Sequence, residues 1–259
     1  MDHISYSQLN MFLRCGEQYR RRYVEGKIIP PSAALVRGKS CHKAEQINFR
    51  QKIETKIDLA VDDVKDAFAT DWDENAYSIA WTEKELDGDS PKKAAGRFKD
   101  QGIALVEIFH IEQAPLARPV SIEDEFSVNF DGGYPPLIGY MDRIDEGRII
   151  AEEKFVSKSP VANEILKDVQ LTCYDMAYRS KHGHKPNELW KQWAVATKTP
   201  KTILQKALPR DDDTIHRFLW RLEAFLSALE KGIFLPAPNG HWCCSEAWCG
   251  YWHDCKYRQ

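Results

Sequence analysis

Two acidic residues and a lysine, Asp142, Glu152 and Lys154, have the types and spacing of a hydrolytic centre. A pair of carboxylates can hold one hard divalent cation. Such a cation lowers the pKa of a bound water and neutralises charge on a phosphodiester, while a nearby ammonium group orients the water or stabilises the developing oxyanion. The alternative is a solvated hairpin that carries exposed charges, and the spacing alone leaves both interpretations open.

These residues lie in GYMDRIDEGRIIAEEKF (139–155), which is typical of two strands around a tight turn. A three-residue loop at 145–147, with its glycine left-handed, would place Asp142 opposite Ile150. Side chains repeat every two residues along a strand, so Glu152 and Lys154 then share the face of Asp142. The two carboxylates become diagonal neighbours, roughly 7–8 Å apart at the backbone.

Four cysteines form a second candidate centre: Cys244, Cys249 and Cys255 close the chain, and Cys15 lies near its start. Thiolates this close in sequence are costly to bring together unless a metal neutralises them. Structural zinc usually takes paired C-x2-C units, which this tail lacks. A reduced cysteine-rich patch or a zinc site stays open as the alternative.

The elements that must position these groups follow from periodicity and turn signals. Cys41 and Cys173 occupy apolar helical contexts and are expected to be buried spectators. The order of elements indicates an α/β fold with a central mixed sheet flanked by helices. Helices are predicted at 4–25 with a break at Cys15–Gly16, at 36–54, at 58–113 with an interruption near Gly88–Pro91, at 163–182 and at 213–231. Strands are predicted at 125–130, 137–144, 148–156 and 188–198, and turns at 131–136 and 145–147.

Composition limits the classes of protein. A net charge of −3 gives no general basic signal for nucleic acid, so any DNA path must be a local groove. Residues 58–89 hold eleven acidic and two basic residues, which places them away from phosphate or as a negative wall beside it. No apolar stretch is long enough to cross a bilayer, and the N-terminus lacks a signal-peptide pattern. With an odd number of cysteines, seven, these features predict a reducing, cytoplasmic location.

Several motifs together resemble the RecB-like branch of the PD-(D/E)XK nucleases. Asp142 followed by Glu152-Glu153-Lys154 resembles the nuclease signature itself. The branch's other segments are matched by ISYSQLNMFLRCGEQYRRRYV with Gly16 in place of the usual proline, LVRGKSCH with its G-x-x-x-H spacing, IGYMDRID, and Gln170 to Tyr174 as Q-x-x-x-Y.

The resemblance implies a restriction-endonuclease-like core over the whole chain, 1–259. It implies a helical insertion at 45–120, a catalytic sheet core at 120–200, and a cysteine-rich tail at 236–259 that packs with 1–25.

The resemblance also implies residue roles. His42, Asp142 and Glu152 are expected to bind Mg²⁺ or Mn²⁺, and Lys154 to complete catalysis. Gln170 and Tyr174 share a helix face and are expected beside the active site, against the DNA strand or positioning Lys154.

The same resemblance extends to the cysteines. Cys15, Cys244, Cys249 and Cys255 are similar to the ligands of a [4Fe–4S] cluster that joins the two ends of such nucleases. The tail departs from the commoner C-x2-C-x5-C pattern, and Cys243 is the alternative to Cys244.

The expected function is a metal-dependent DNA exonuclease acting on single-stranded DNA or duplex ends. Such nucleases work in recombination, repair or CRISPR adaptation, and the resemblance implies a protein partner from one of these processes. Arg14, the basic residues 20–22 and Tyr23 could stack on bases and hold phosphates, although a solvated helix face explains them equally well. The alternative function is a catalytically weak module that holds DNA or a partner.

Overall fold

The computed structural model describes residues 2–130 and 133–258, and the turn expected at 131–136 lies partly outside them. The chain divides into two compact units. One comprises Met1–Ile29, Phe126–Gly139 and Arg210–Gln259, and the other comprises Pro30–Glu125 and Tyr140–Pro209. The domain boundaries expected from the sequence stay a prediction.

The strands form one mixed five-stranded sheet of order β1-β2-β3-β4-β5. The central pair, β3 and β4, is parallel, whereas β2 with β3 and β4 with β5 are antiparallel. The mixed sheet with flanking helices confirms the predicted fold class. The strands are β1 (Pro119–Val128), β2 (Leu137–Asp145), β3 (Ile149–Val156), β4 (Glu188–Val195) and β5 (Lys201–Ala207).

Two expectations about the strands are wrong. The strand predicted at 125–130 begins six residues earlier, at Pro119. The strand β5 was not expected at all. It lies at the edge of the sheet and most of its residues are half-exposed, so it lacks the alternation of buried and exposed side chains that marks a strand in sequence.

The β2–β3 hairpin also differs from its predicted register. Arg143 pairs with Ala151 and Asp145 pairs with Ile149. The loop is therefore residues 146–148, because Gly147 and Arg148 are both left-handed, with φ of 76° and 60°. The shift of two residues keeps every side chain on its predicted face.

Helices pack on the sheet of the larger unit. Ser32 caps the long α3 by accepting from the amide of Leu35, and Ser90 caps α6 ahead of Pro91. Gly102 of α6 lies against the ring of Phe68, where a Cβ would be 1.9 Å from the ring. This unit's helices are α3 (Ala33–Thr55), α4 (Val61–Asn75), α5 (Glu83–Leu86), α6 (Pro91–Glu112) and α7 (Val169–His182), with 3₁₀ turns at Ala76–Ser78, Ala114–Leu116 and Glu164–Lys167.

The smaller unit contains α1 (Tyr6–Arg14), α2 (Gly16–Tyr19), a π-helical turn (Arg20–Val24) and α8 (Asp212–Glu230). The break expected in the helix at 4–25 falls at Cys15, whose backbone is extended. Gly16 donates its amide to the carbonyl of Leu235 at 2.7 Å, and a Cβ on Gly16 would lie 2.7 Å from the Leu235 nitrogen. The close approach requires glycine at this position.

In the part of the chain that the structure describes, no helix combines the length and hydropathy needed to span a membrane.

Candidate active site

The hairpin brings the two predicted carboxylates together. The observed register, continued by one residue, sets Asp142 directly opposite Glu152 on neighbouring strands. Asp142 Oδ2 accepts from the backbone amide of Glu153 at 3.2 Å. Glu152 is fully buried, and its Oε1 is paired with Lys154. Its second oxygen, Oε2, finds no hydrogen-bond partner among the described residues.

His42 reaches the same point from α3. Its Nδ1 lies 3.9 Å from Asp142 Oδ2, and its ring stands edge-on to Phe155 with ring centroids 5.3 Å apart. Burial, and then the positive charge of Lys154, lower the pKa of His42 to about 4. At neutral pH the imidazole is therefore uncharged and can offer a lone pair to a cation.

Lys154 connects the carboxylates to α7. Its Nζ donates to Gln170 Oε1 at 3.3 Å, and Gln170 Nε2 donates to the Tyr174 hydroxyl at 2.8 Å. Burial lowers the pKa of Lys154, but the carboxylates of Glu152 and Asp142 outweigh burial, and the net shift is upward. The lysine therefore stays charged, and all six predicted site residues meet at one place.

The same burial acts on the acidic groups. Burial, followed by the charge of Asp142, raises the pKa of Glu152 to about 7. Burial also raises the pKa of Asp142 and, well above its ordinary range, that of Tyr174. Two carboxyls that are both costly to ionise without a counter-charge favour a cation between them.

The site opens into a cavity of about 460 Å³. Several polar residues that line this cavity were not predicted from the sequence, including Lys39, Lys43 and Gln46 of α3 and Glu123 of β1. The three from α3 could have been found, because they lie three or four residues from one another or from His42, on one helix face. Glu123 gave no such signal.

A buried arginine next to Asp142 holds the hairpin from behind. The guanidinium of Arg143 donates to Asp145 at 2.9 Å and to Gln192 at 2.6 Å, and it is paired with Glu153. It also lies 4.6 Å from the centre of the Phe49 ring. Arg143 thus joins β2, β3 and β4 at the level of the carboxylates.

The chemical types of the side chains at this site suit a hard divalent cation. Two carboxylates and a neutral imidazole face each other, and the unpaired Glu152 Oε2 is the sort of buried atom that a ligand satisfies. Within residues 2–130 and 133–258, however, no three His, Cys, Asp or Glu side chains are arranged closely enough to hold a metal ion. Coordination by His42, Asp142 and Glu152 therefore requires these side chains to close in.

One small cavity in the smaller unit is lined by five cysteines: Cys15 and the tail residues Cys243, Cys244, Cys249 and Cys255. The finding that no three such side chains are arranged as a metal site covers these thiols too.

Hydrogen bonds and neighbouring thiols distinguish the cysteines of this cavity. Cys15 Sγ accepts from the amide of Ala237 at 3.3 Å, and Cys243 Sγ lies 3.0 Å from His241 Nδ1. Burial raises the pKa of Cys244, as do its neighbours Cys15, Cys255 and Cys249.

Cys41 and Cys173 do not line this cavity. Both are fully buried in the larger unit. Burial raises the pKa of each thiol, as expected of spectators.

A model of the PD-(D/E)XK nuclease superfamily matches residues 3–256. The chain belongs to this superfamily. Membership carries nuclease activity as the general function, and the signature residues of the sequence lie at the site described above. No curated protein matches the chain.

Two solved structures resemble this superfamily member. A protein from Eubacterium rectale named "Putative exonuclease" is 15% identical, with a TM-score of 0.58 over 95% of this chain and 86% of that one. At this identity the likeness shows the shared fold. A structure named SSO0001 is 14% identical, with a TM-score of 0.44, and the match covers 100% of this chain and 87% of that one. That second likeness is too weak to carry an argument.

Proposed function

We propose that this nuclease is a divalent-cation-dependent deoxyribonuclease that degrades single-stranded DNA or DNA ends as an exonuclease. One observation carries the proposal: Asp142 and Glu152 face each other across neighbouring strands in a cleft that also holds Lys154 and a neutral His42. This set is intact, whereas a module that only binds DNA has no need to keep all four groups.

His42, Asp142 and Glu152 are the residues that would hold Mg²⁺ or Mn²⁺. The bound cation supplies a water of lowered pKa and neutralises charge on the scissile phosphate. A neutral imidazole and carboxylate oxygens are ligands that Mn²⁺ accepts, and the carboxylates alone suit Mg²⁺.

Lys154 is proposed to stabilise the negative charge that develops on the phosphate oxygens. Its pKa is raised by the neighbouring carboxylates, so it is charged throughout the neutral range. Gln170 fixes the position of Lys154 through its carbonyl oxygen, and Tyr174 fixes Gln170 through its hydroxyl. Both act as positioning residues.

The phosphate backbone requires a basic wall, and α3 offers one. Lys39, three residues before His42, and Lys43, the residue after it, line the same cavity as His42. Asp71 of α4 also lines the cavity, so one acidic residue of segment 58–89 lies beside these lysines. A local basic path of this kind is consistent with a net charge of −3.

A [4Fe–4S] cluster is proposed for the thiols of the smaller unit, held by Cys15, Cys244, Cys249 and Cys255. Support comes from the shared cavity and from the proximity of Cys244 to the other three thiols. Cys243 stays the alternative ligand, since it lines the same cavity. Bound there, the cluster would join the start of the chain to its end.

The proposed activity is tested by mapping the products of end-labelled single strands, duplexes and circles incubated with Mn²⁺ under anaerobic conditions. We expect shortening of linear DNA, intact circles, and at least about a hundredfold loss of rate in Lys154→Ala. Lys158→Ala, which removes an exposed lysine four residues further on, is the matched control and should keep the wild-type rate.

Failure of the wild-type protein to degrade any of these substrates with its cluster intact would overturn the proposal in favour of a binding module. Cleavage of circles would overturn the exonuclease assignment alone.

A further inference from the structure

Two tryptophans of the cysteine-rich tail lie side by side on the surface of the smaller unit. Trp242 is 55% exposed and Trp248 is 58% exposed. Their rings meet edge to face, with centroids 5.6 Å apart and an angle of 89° between the ring planes. Tryptophan is on average a well-buried residue type, and adjoining exposed apolar side chains tend to mark a binding surface. The two indoles therefore indicate a place where a ligand binds.

Backbone hydrogen bonds hold the two indoles in position. The hydroxyl of Ser245 donates to the carbonyl of Trp242 at 3.0 Å, and the amide of Trp248 donates to the carbonyl of Ser245 at 3.1 Å. The amide of Cys249 donates to the same carbonyl at 2.8 Å. One serine thus connects both tryptophans. Because the rings are positioned before a ligand arrives, less conformational entropy is lost on binding.

A basic side chain lies over one of the two rings. The guanidinium carbon of Arg14 is 5.8 Å from the centre of the Trp242 ring. Gln18 fixes this guanidinium, because its Oε1 accepts from Arg14 Nη2 at 3.1 Å while its Nε2 donates to the carbonyl of Cys243 at 3.4 Å. The thiol of Cys243 donates in turn to the carbonyl of Arg14 at 3.7 Å. The start of the chain therefore supplies a cation to the exposed aromatic pair of the tail.

The charge of Arg14 is not neutralised within the described part of the chain. There it forms no ion pair with a carboxylate, and its Nε has no hydrogen-bond partner. Arg20 and Arg21 differ from it, since both pair with Glu17, at 2.8 and 3.0 Å. Of these three arginines, Arg14 is thus the one whose positive charge stays available to an anion beside the indoles.

An exposed aromatic pair next to an uncompensated cation defines the chemistry of its ligand. An unpaired base stacks on an aromatic face whatever its identity, and the phosphate that follows it attracts a nearby cation. An apolar segment of a protein partner would cover Arg14 without offering it an anion, which is costly. Duplex DNA keeps its bases stacked on one another, so its interior offers no free base face. Single-stranded DNA meets both requirements.

We propose that Trp242, Trp248 and Arg14 form a second binding surface for single-stranded DNA, on which the indoles stack on unpaired bases and the guanidinium holds a phosphate. None of the three residues lines the catalytic cavity. The inference rests on the proposed function, whose substrate it shares. The surface adds affinity for the strand and takes no part in hydrolysis.

The test measures the affinity of the full-length chain for a labelled oligothymidylate by fluorescence anisotropy, with EDTA present so that no cleavage occurs. Trp242→Leu and Trp248→Leu should each weaken binding roughly five- to hundredfold, because each removes one stacking contact. Trp242→Tyr should recover most of the lost affinity. Trp220→Leu, which removes an exposed tryptophan of α8, is the matched control and should bind as wild type does.

Two further measurements separate direct contact from damage to the fold. Binding should quench the intrinsic tryptophan fluorescence of wild type, and the quenching should be smaller in Trp242→Leu. In Arg14→Gln the dependence of the logarithm of affinity on the logarithm of salt concentration should lose about 0.7 of its slope, as expected for one phosphate contact. Arg217→Gln, at an exposed position of α8, should keep the wild-type slope.

Unchanged affinity in Trp242→Leu, or an equal loss in Trp220→Leu, would overturn the inference, as would an unchanged salt slope in Arg14→Gln. Cleavage assays with Mn²⁺ separate this failure from failure of the proposed function. A wild type that degrades linear DNA while the tryptophan variants bind it normally refutes the second surface alone. A wild type that binds single strands through these residues but cleaves nothing refutes the proposed activity alone.

Discussion

Replacing Arg143 by methionine should destabilise the fold strongly, because this guanidinium is fully buried and pairs with two carboxylates. Methionine keeps much of the volume over Phe49 but leaves Asp145 and Glu153 without their cation. Removing one partner of a buried ion pair costs about 3–5 kcal/mol. The donor to Gln192 is lost as well, so the upper part of that range is expected.

Urea denaturation at pH 7, followed by far-ultraviolet circular dichroism, measures the effect of Arg143→Met. With a urea dependence of about 2–3 kcal/mol per molar, the unfolding midpoint should fall by about 1–2 M. Arg217→Met, the same substitution on an exposed face of α8, should change the midpoint by at most a few tenths of a molar.

The loss of unfolding free energy in Arg143→Met should also depend on pH. Burial raises the pKa of Glu153 well above its ordinary value of 4.5, and Arg143 opposes that rise. Without Arg143 this pKa rises further, so the native variant keeps the Glu153 proton to a higher pH than wild type does. Both proteins lose stability as the pH rises above about 4.5, where the unfolded chain releases this proton, but the variant loses it over a wider range of pH. The stability lost in Arg143→Met is therefore smallest near pH 5 and grows towards pH 8.

A double-mutant cycle isolates the pairing of Arg143 with Glu153. In Arg143→Met/Glu153→Gln the lost stability should be less than the sum of the single changes by about 1–3 kcal/mol. Additive effects, or a deficit of Arg143→Met below about 1 kcal/mol, would refute the view that Arg143 holds the hairpin by charge.

Three further predictions concern the two sites, and one concerns the backbone contact of Gly16. Lys154→Met should lower the rate of DNA cleavage by about 10²–10³ while Mn²⁺ binding, measured by calorimetry, is retained. Because Glu152 titrates at about pH 7 and must lose its proton to bind a cation, Mn²⁺ affinity should be about tenfold weaker at pH 6 than at pH 8. Gly16→Ala should cost about 1–3 kcal/mol in urea denaturation, since the added Cβ meets the backbone of Leu235. Anaerobically purified protein should absorb visible light in the blue, and Cys249→Ala should abolish the band; a colourless wild type with stoichiometric zinc would contradict the cluster.

The sequence predicted which side chains of the β2–β3 hairpin share one face of the sheet, but it did not predict the register of the two strands. Asp142, Glu152 and Lys154 lie together as expected, because an error of two residues preserves the alternation of a strand. The error came from Arg148, whose left-handed backbone could not be foreseen beside Gly147.

Hydrophobic periodicity could not predict the edge strand β5 or the position of Glu123 in β1. Strand β5 is half-exposed along most of its length, so its hydrophobic pattern is weak. Glu123 lies before the predicted start of its strand, and its direction depends on a left-handed backbone that nothing in a glutamate announces. Contacts with Gln46, distant in sequence, fix that residue.

The most direct test of the site is a crystal of the full chain soaked in Mn²⁺ and measured at the manganese absorption edge. We expect an anomalous peak within about 2.0–2.3 Å of a carboxylate oxygen from both Asp142 and Glu152, with the imidazole of His42 alongside. A cavity without a peak, or a peak that contacts only one of the two carboxylates, would contradict it.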